Sequence, residues 1–368
     1  MKSKKVAIIH DWLTVNGGAE IVLKHLLQMF PEAKLYTMVD TLAPEKRNWL
    51  AGHEVYTSCL QKNNWVREHY KYFIPFMPYL VEQFDLSAYD LIISSSHAVA
   101  KGVIVHPHQT HIAYIYSPMR YAWDLMYEHE QLGVFGKGPM KFFMKRWLHK
   151  MRIWDFVSAQ RVDVMLADSQ FIQKRIKKCW ARQSDVVYPP VEFDECVFED
   201  RKEEYYVTLS RLVHYKRVDL IVEAFNQMPN KKLIVIGEGV SSAALQKIAK
   251  DNITFTGYIS RTEAMKYISK AKAFVFMAKE DFGIAPLEAS ACGTPVIAYG
   301  QGGARETVID GVTGVFVKEQ TSESLIEAIG FFEQQKFEAK RCAEHALTFS
   351  VENFKKKILS YVEMKDIE

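Results

Sequence analysis

Short apolar, β-rich runs alternate with helix-length segments along this 368-residue chain, and the alternation breaks once, at Tyr188-Pro189-Pro190-Val191. Two consecutive prolines continue neither a helix nor a central strand, so the break reads as a domain boundary. Before it, Val6–His10, Lys34–Val39, Asp90–Ser94, His111–Tyr116 and Arg161–Ala167 predict strands. A helix is expected over Ala19–Phe30, and Ser169 is placed to cap another. After it, strands are expected at Tyr206–Leu209, Lys232–Ile236, Ile253–Thr256, Ala273–Phe276 and Pro295–Ala298, with a helix over Val218–Met228 and a last one over Val351–Met364. Strands separated by helices imply parallel sheets. The expected fold is α/β, with two Rossmann-like domains (1–188 and 189–350) facing across a cleft and residues 351–368 packing back on the first. Such a cleft gathers strand C-termini and helix N-termini, which suits nucleotides without distinguishing a transferase from a dehydrogenase.

Composition narrows the class further. Apolar residues are 48% and charged residues 25%, as in soluble globular proteins. No run is long enough to predict a spanning helix, and the apolar run ending at His10-Asp11 is too short for a signal peptide. Five scattered cysteines, with no CxxC pair or metal-site spacing, predict a reducing cytoplasmic setting. Up to residue 190 there are 24 Lys and Arg against 17 Asp and Glu; beyond it, 23 against 27. A basic first half suggests that this half alone meets an anionic surface.

Three stretches carry chemistry. The segment from Glu280 to Ala298 follows a strand and starts a helix, with Phe282, Gly283 and Ile284 at the helix start, where backbone amides can meet an anion. Glu280 and Glu288 are carboxylates able to accept from sugar hydroxyls; singly, each also reads as a dipole-complementing or solvated glutamate. The second stretch, Ser210–Arg217, follows the strand Tyr206–Leu209. Arg211 and Lys216 can converge on a diphosphate there, Arg as a fork and Lys as a point charge, although a basic loop is also ordinary surface. Arg217 is assigned a structural contact. The third, Asn16-Gly17-Gly18-Ala19-Glu20, can present amides to a phosphate or simply turn the chain; it is not a complete dinucleotide fingerprint.

These residues resemble family four of the retaining glycosyltransferases, of GT-B fold. The resemblance rests on the Glu-x7-Glu segment with its Ala-Cys-Gly-Thr-Pro-Val-Ile-Ala tail, Ser210-Arg211-Leu212 with Lys216-Arg217-Val218-Asp219, Gly237-Glu238-Gly239, and Gly302-Gly303 with Glu306. It covers Tyr205 to Phe316 and, more loosely, the first domain. There, His10-Asp11-Trp12-Leu13 and Tyr116–Asp124 look like bacterial mannosyltransferases of surface-polysaccharide assembly. Ser290 departs from a commoner methionine at a packing position. The resemblance implies that Arg211 and Lys216 hold the donor diphosphate, Glu288 the ribose, and Glu280 the transferred sugar. It implies that amides near Phe282-Gly283-Ile284 meet sugar and phosphate, and it places Gly237 in the donor site. Gly18 would let the first domain close on the donor, with Gly17 also in the donor site, and the Ile259 backbone would lie near the base. His97 matches an active-site histidine, and a helix-cap or core role for it stays open. Tyr121, Trp123 and Asp124 would face the acceptor.

The expected activity is hexosyl transfer with retention, without cofactor or metal, since the sequence has a cation pair and no convincing DxD motif. GDP-mannose is the first-choice donor and a lipid-linked saccharide the expected acceptor. A UDP-sugar donor, a nucleotide-sugar epimerase and a non-catalytic binding protein are the alternatives, and a retaining glycosidase is disfavoured by the phosphate-binding features. The run Lys137–Trp154 is basic, aromatic and helical in pattern. Lys141, Lys145 and Arg152 share one face, and Phe143, Met144, Trp147 and Met151 form an apolar side. With Trp65, Tyr70, Tyr72, Phe73 and Phe76 it suggests peripheral docking on an anionic membrane; a core helix with a solvated face is the alternative. No nucleic-acid motif accompanies the charge.

Overall fold

The computed structural model describes residues 4–50, 52–124, 126–131 and 138–364. The chain forms two compact units, one of residues 1–190 with 354–368 and one of residues 191–353. Each is a parallel sheet with helices on both faces.

The first sheet contains β1 (Val6–His10), β2 (Lys34–Thr37), β3 (Val55–Thr57), β4 (Leu91–Ser96), β5 (Thr110–Ile115), β6 (Val164–Ala167) and β7 (Asp185–Val186). Their order is β3-β2-β1-β4-β5-β6-β7. Adjacent β1 residues serve opposite cores: Val6 and Ile8 pack with Leu23, Leu26 and Tyr114, whereas Ala7 and Ile9 pack with Met77, Val81 and Leu148. Burial on both faces explains the unbroken apolar run. The last helix, Val351–Met364, adds Phe354, Ile358 and Val362, at helical spacing, to the first of these cores.

The second sheet contains β8 (Glu203–Leu209), β9 (Lys232–Ile236), β10 (Ile253–Gly257), β11 (Ala271–Phe276), β12 (Val296–Tyr299) and β13 (Gly314–Val317). Their order is β10-β9-β8-β11-β12-β13, again all parallel. In both sheets the chain reverses its direction of winding beside the first strand, between β1 and β4 and between β8 and β11. Loops leaving these neighbours diverge and open a crevice at the strand ends.

Several boundaries differ from the sequence expectation. The run Arg161–Ala167 becomes strand only from Val164. Arg161 instead reaches Glu82 and the Gly102 carbonyl, and Asp163 accepts the His111 amide. Lys34–Val39 leaves the sheet after Thr37, where the Met38 amide turns to the Asp11 carbonyl. The helix from Val218 stops at Asn226. The two- to four-residue strands β3, β7 and β13 carry too little pattern to be read from sequence. Ser169 does cap the helix Gln170–Trp180, accepting from the Ile172 amide at 3.2 Å.

Candidate functional site

In the second unit, the ends of β8 and β11 supply the charged groups. Beyond β8 the chain passes Ser210 and Arg211 and makes a short 3-10 turn at His214–Lys216, which brings the Lys216 side chain back into ion-pair contact with Glu280. Both side chains are largely covered. Arg211 is exposed, and its guanidinium donates to the Tyr215 hydroxyl at 3.0 Å. Burial, followed by the nearby Arg211 charge, pushes the Lys216 ammonium down to about 8. Arg211, Lys216 and Glu280 thus form one cluster, an arrangement able to receive phosphate oxygens on the cations and a hydroxyl on the carboxylate. Arg217 turns away to Asp219.

Glycine geometry holds the loops around this cluster together. Gly237 has φ +122°, and a Cβ there would lie 2.0 Å from the Ser210 carbonyl oxygen, so the loop after β9 can lie against the loop after β8 only as glycine. A Cβ on Gly303 would meet the Phe282 backbone at 2.3 Å, and the Gly303 amide donates to the Glu280 carbonyl at 2.9 Å.

The helix Ile284–Ala291 begins behind Glu280, with Gly283 as its N-cap and Phe282 buried against Phe349. Pro286 in its first turn removes an amide that had no helical partner. Glu288 lies one turn along from Ile284 and is 5% exposed. Its carboxylate is met by Arg261 at 2.6 Å. Burial raises the Glu288 carboxyl above its ordinary value, although the Arg261 charge opposes the shift. Arg261 also donates to the Glu192 carbonyl and pairs with Glu195. Sequence reasoning missed Arg261; the signal available was its position just after Ile259, at the start of the Ser260-capped helix Arg261–Lys270. Ile259 itself is half-buried against the core.

In the first unit, the end of β1 carries a second polar cluster. Gly17 is the N-cap of helix Gly18–Met29, and its amide donates to Glu20 at 2.9 Å. Glu20 is buried 3.7 Å from the His10 ring. Burial would raise its carboxyl, but the His10 and Gly17 contacts outweigh this and hold it below the ordinary value. His10 meets the Ser95 hydroxyl at 3.0 Å, and Ser95 meets Tyr116, which donates to the Ala19 carbonyl. Asp11, fully buried, accepts the amides of His97, Ala98, Val99 and Ala100 at 2.6–3.0 Å. The His97 imidazole stands 3.1 Å from the same carboxylate, edge-on to Trp12, with a third of its surface open. Burial depresses the imidazolium, while Asp11 opposes that shift. Asp11 is a positioning residue that the sequence reading passed over, because a carboxylate capping a segment 86 residues away leaves no local pattern.

The Tyr116–Asp124 segment is tied into the same unit. Tyr121 stacks on Trp147, Trp123 donates its indole N–H to Asp155, and Asp124 pairs bidentately with Arg175. On helix Pro139–Ala159, Lys141 and Lys145 both pair with Glu130, Arg152 donates to the Ala122 carbonyl, and Met151 is core. Phe143, expected on the apolar side with Met151, is 63% exposed beside Phe142 at 66%. Met144 and Trp147, expected on the same side, are partly buried against the core. Trp65, Tyr72 and Phe76 are exposed, whereas Tyr70 is buried. Lys137 lies outside the described residues. Among the described residues no helix is long and apolar enough to cross a membrane, and no group of three or more His, Cys, Asp or Glu is placed to hold a metal ion.

Known proteins share the fold, and the second unit has sequence relatives as well. Sucrose-phosphate synthase from Thermosynechococcus elongatus superposes with a TM-score of 0.76 at 17% identity, covering 100% of each chain. An Anabaena protein solved in complex with UDP gives a TM-score of 0.71 at 17% identity, over 98% of this chain and 100% of that one. These likenesses establish two Rossmann-like units of the GT-B type. A GDP-mannose-dependent alpha-(1-6)-phosphatidylinositol monomannoside mannosyltransferase of Mycolicibacterium smegmatis is 35% identical over 141 residues, 34% of this chain and 37% of the relative. The matched region therefore spans little more than a third of that relative's length. Residues 192–348, which contain the Arg211–Lys216–Glu280 cluster and Glu288, match the model of the glycosyl transferases group 1. The similarity to the glycosyl transferases group 1 thus lies in the second unit.

Proposed function

We propose that this protein transfers a hexose from a nucleotide-diphosphate sugar to an acceptor with retention of configuration and without a metal. The observation that carries the reading is the convergence of Arg211, Lys216 and Glu280 at the β8–β11 crevice. Cleaving the sugar–phosphate bond leaves charge on the departing diphosphate. Cations placed there stabilise the transition state more than the ground state. Arg211 and Lys216 supply that charge, Glu280 holds the transferred sugar, and Glu288 the ribose. Lys216 exchanges its contact with Glu280 for phosphate when the donor arrives. In the first unit, His97 meets the sugar, Gly17 and Gly18 meet the donor, and Tyr121, Trp123 and Asp124 border the acceptor.

GDP-mannose is the proposed donor. Support comes from the relative named as GDP-mannose-dependent, whose similarity falls in a third of this chain. A UDP sugar is the alternative; the UDP-bound Anabaena structure, at 17% identity, speaks for the fold and not the base. The acceptor is a lipid-linked saccharide, reached from the cytoplasmic face of an anionic membrane. The exposed Phe142, Phe143, Trp65, Tyr72 and Phe76 and the basic first half support this. The test is mass spectrometry of nucleotide sugars incubated with lipid-linked acceptors. Transfer yields free nucleoside diphosphate and a glycosylated product. An isomerised sugar nucleotide with no product would replace the reading by epimerisation, and binding without turnover would remove it.

A further inference from the structure

The segment His97–Gly102 is gripped from two sides, and only one grip belongs to the β1 cluster. Asp11 takes the four amides 97–100. The other grip starts at Lys101, an ammonium only 1% exposed. Its Nζ donates to the Asp155 carboxylate at 2.5 Å and to the Ala98 carbonyl at 3.3 Å, and it lies over the rings of Trp154 and Trp180 at 5.2 and 4.7 Å. Asp155 is itself fully buried and accepts the indole N–H groups of Trp123 and Trp180, each at 2.8 Å. Gly102 closes the segment with no room for a side chain, since a Cβ would stand 2.3 Å from Trp154.

We propose that Asp155 and Lys101 form a buried positioning pair that sets the His97 imidazole and ties it to helix Pro139–Ala159. The proposal deepens the reading of His97 as a group that meets substrate and rests on it. Three features favour positioning over simple stabilisation. A buried ion pair is a weak source of stability, because apolar residues of similar volume often do as well. Its side chains satisfy each other's remaining bonds through two indoles and a carbonyl, which fixes geometry in a way that packing alone does not. The same Lys101 that pairs with Asp155 also holds the Ala98 carbonyl, one residue from His97, so displacing Asp155 frees the strip that Asp11 caps.

The experiment uses the full chain with labelled histidine, comparing wild type, Asp155→Asn, the apolar pair Lys101→Met with Asp155→Leu, and the mild Trp180→Phe, which removes one donor to Asp155 and leaves a ring. His97 is observed by NMR, and its pKa is read in each protein. The titratable groups facing it are Asp11, His10 and Glu20. The apolar pair keeps the fold, and a displaced His97 lowers kcat by ~10-fold or more with donor KM within ~2-fold, since a reacting group moved by ~1 Å can cost ~100-fold. The His97 resonance shifts and its pKa rises toward the ordinary imidazole value as burial is relieved, with Trp180→Phe moving part of the way. A folded variant in which the His97 resonance and pKa stay as in wild type overturns the proposal. Should the wild type turn over no nucleotide sugar, the transferase reading falls, and the His97 resonance still decides the pair.

Discussion

Lys216 and Arg211 lie at a strand end, where removing charge changes chemistry more than folding. Lys216→Ala and Arg211→Ala are each expected to lower turnover by at least ~100-fold, the scale of losing ~2.7–4 kcal/mol of transition-state stabilisation. Nucleoside diphosphate release measures this; two stable variants with near-normal kcat would remove the leaving-group assignment. Arg261 behaves differently because its partner is buried. Arg261→Ala leaves the buried Glu288 carboxyl without its guanidinium; an unsatisfied buried polar group costs on the order of 1–3 kcal/mol, and a charged one more. The sign of the pH dependence follows from the direction of the shift. Glu288 has a raised carboxyl in the folded state, so the folded chain binds the proton more tightly than the unfolded one. Stability from this group is therefore present at low pH and is lost as pH rises from the ordinary carboxylate value through the raised one. Removing Arg261 raises that carboxyl further, so the variant should lose more melting temperature at pH 7 than at pH 5. An equal loss at both would mean that Arg261 acts only through its contacts to Glu192 and Glu195.

At the scale of elements, helix Pro139–Ala159 has two unlike parts. Its middle and end are anchored by Leu148, Met151 and Asp155, while its first turns expose Met140, Phe142 and Phe143. A helix that only filled the core would not leave adjacent phenylalanines more than 60% open. The prediction is salt-sensitive binding to anionic liposomes, weakened when Lys141, Lys145, Arg146 and Lys150 are changed together to Glu. It should also weaken when Phe142 and Phe143 become Ser. Each basic residue near an anionic surface contributes ~1 kcal/mol, and that contribution is screened by salt. Lys141 and Lys145 already share Glu130, so part of their charge is neutralised at rest and Arg146 and Lys150 carry more of the effect. Co-sedimentation that is absent at low salt, or indifferent to both sets of changes, would make a soluble acceptor the better reading.

For the whole molecule, the first test is which nucleotide stabilises it. At 100 times its Kd a ligand adds ~2.7 kcal/mol to the folded state, enough to move a melting curve. GDP and GDP-mannose are expected to raise the transition temperature more than UDP and UDP sugars; the reverse ranking would replace the donor. Transfer should persist in EDTA, because Arg211 and Lys216 are the groups proposed to meet the leaving group. Full inactivation restored by Mg²⁺ or Mn²⁺ would refute that part of the mechanism.

What the sequence determined alone was whatever repeats locally: apolar runs of strand length, the Pro189-Pro190 break, the Gly283 helix start, and the Arg211, Lys216, Glu280 and Glu288 spacings. These are legible because strand burial, helix capping and phosphate binding each act within a few residues. Tertiary structure alone decided which distant groups meet. Asp11 reaches the amides of 97–100, Arg261 covers Glu288, and Lys101 finds Asp155 among indoles. None of these pairs has a spacing rule, because their separation is set by strand order and not by helix or strand period. Asp11 meets the 97–100 strip because β1 and β4 are hydrogen-bonded neighbours, although their C-terminal ends, His10 and Ser96, lie 86 positions apart in sequence. The exposure of Phe143 was likewise a tertiary outcome. A helical pattern says which residues share a face, and only the packed neighbours decide where along the helix that face stops being covered.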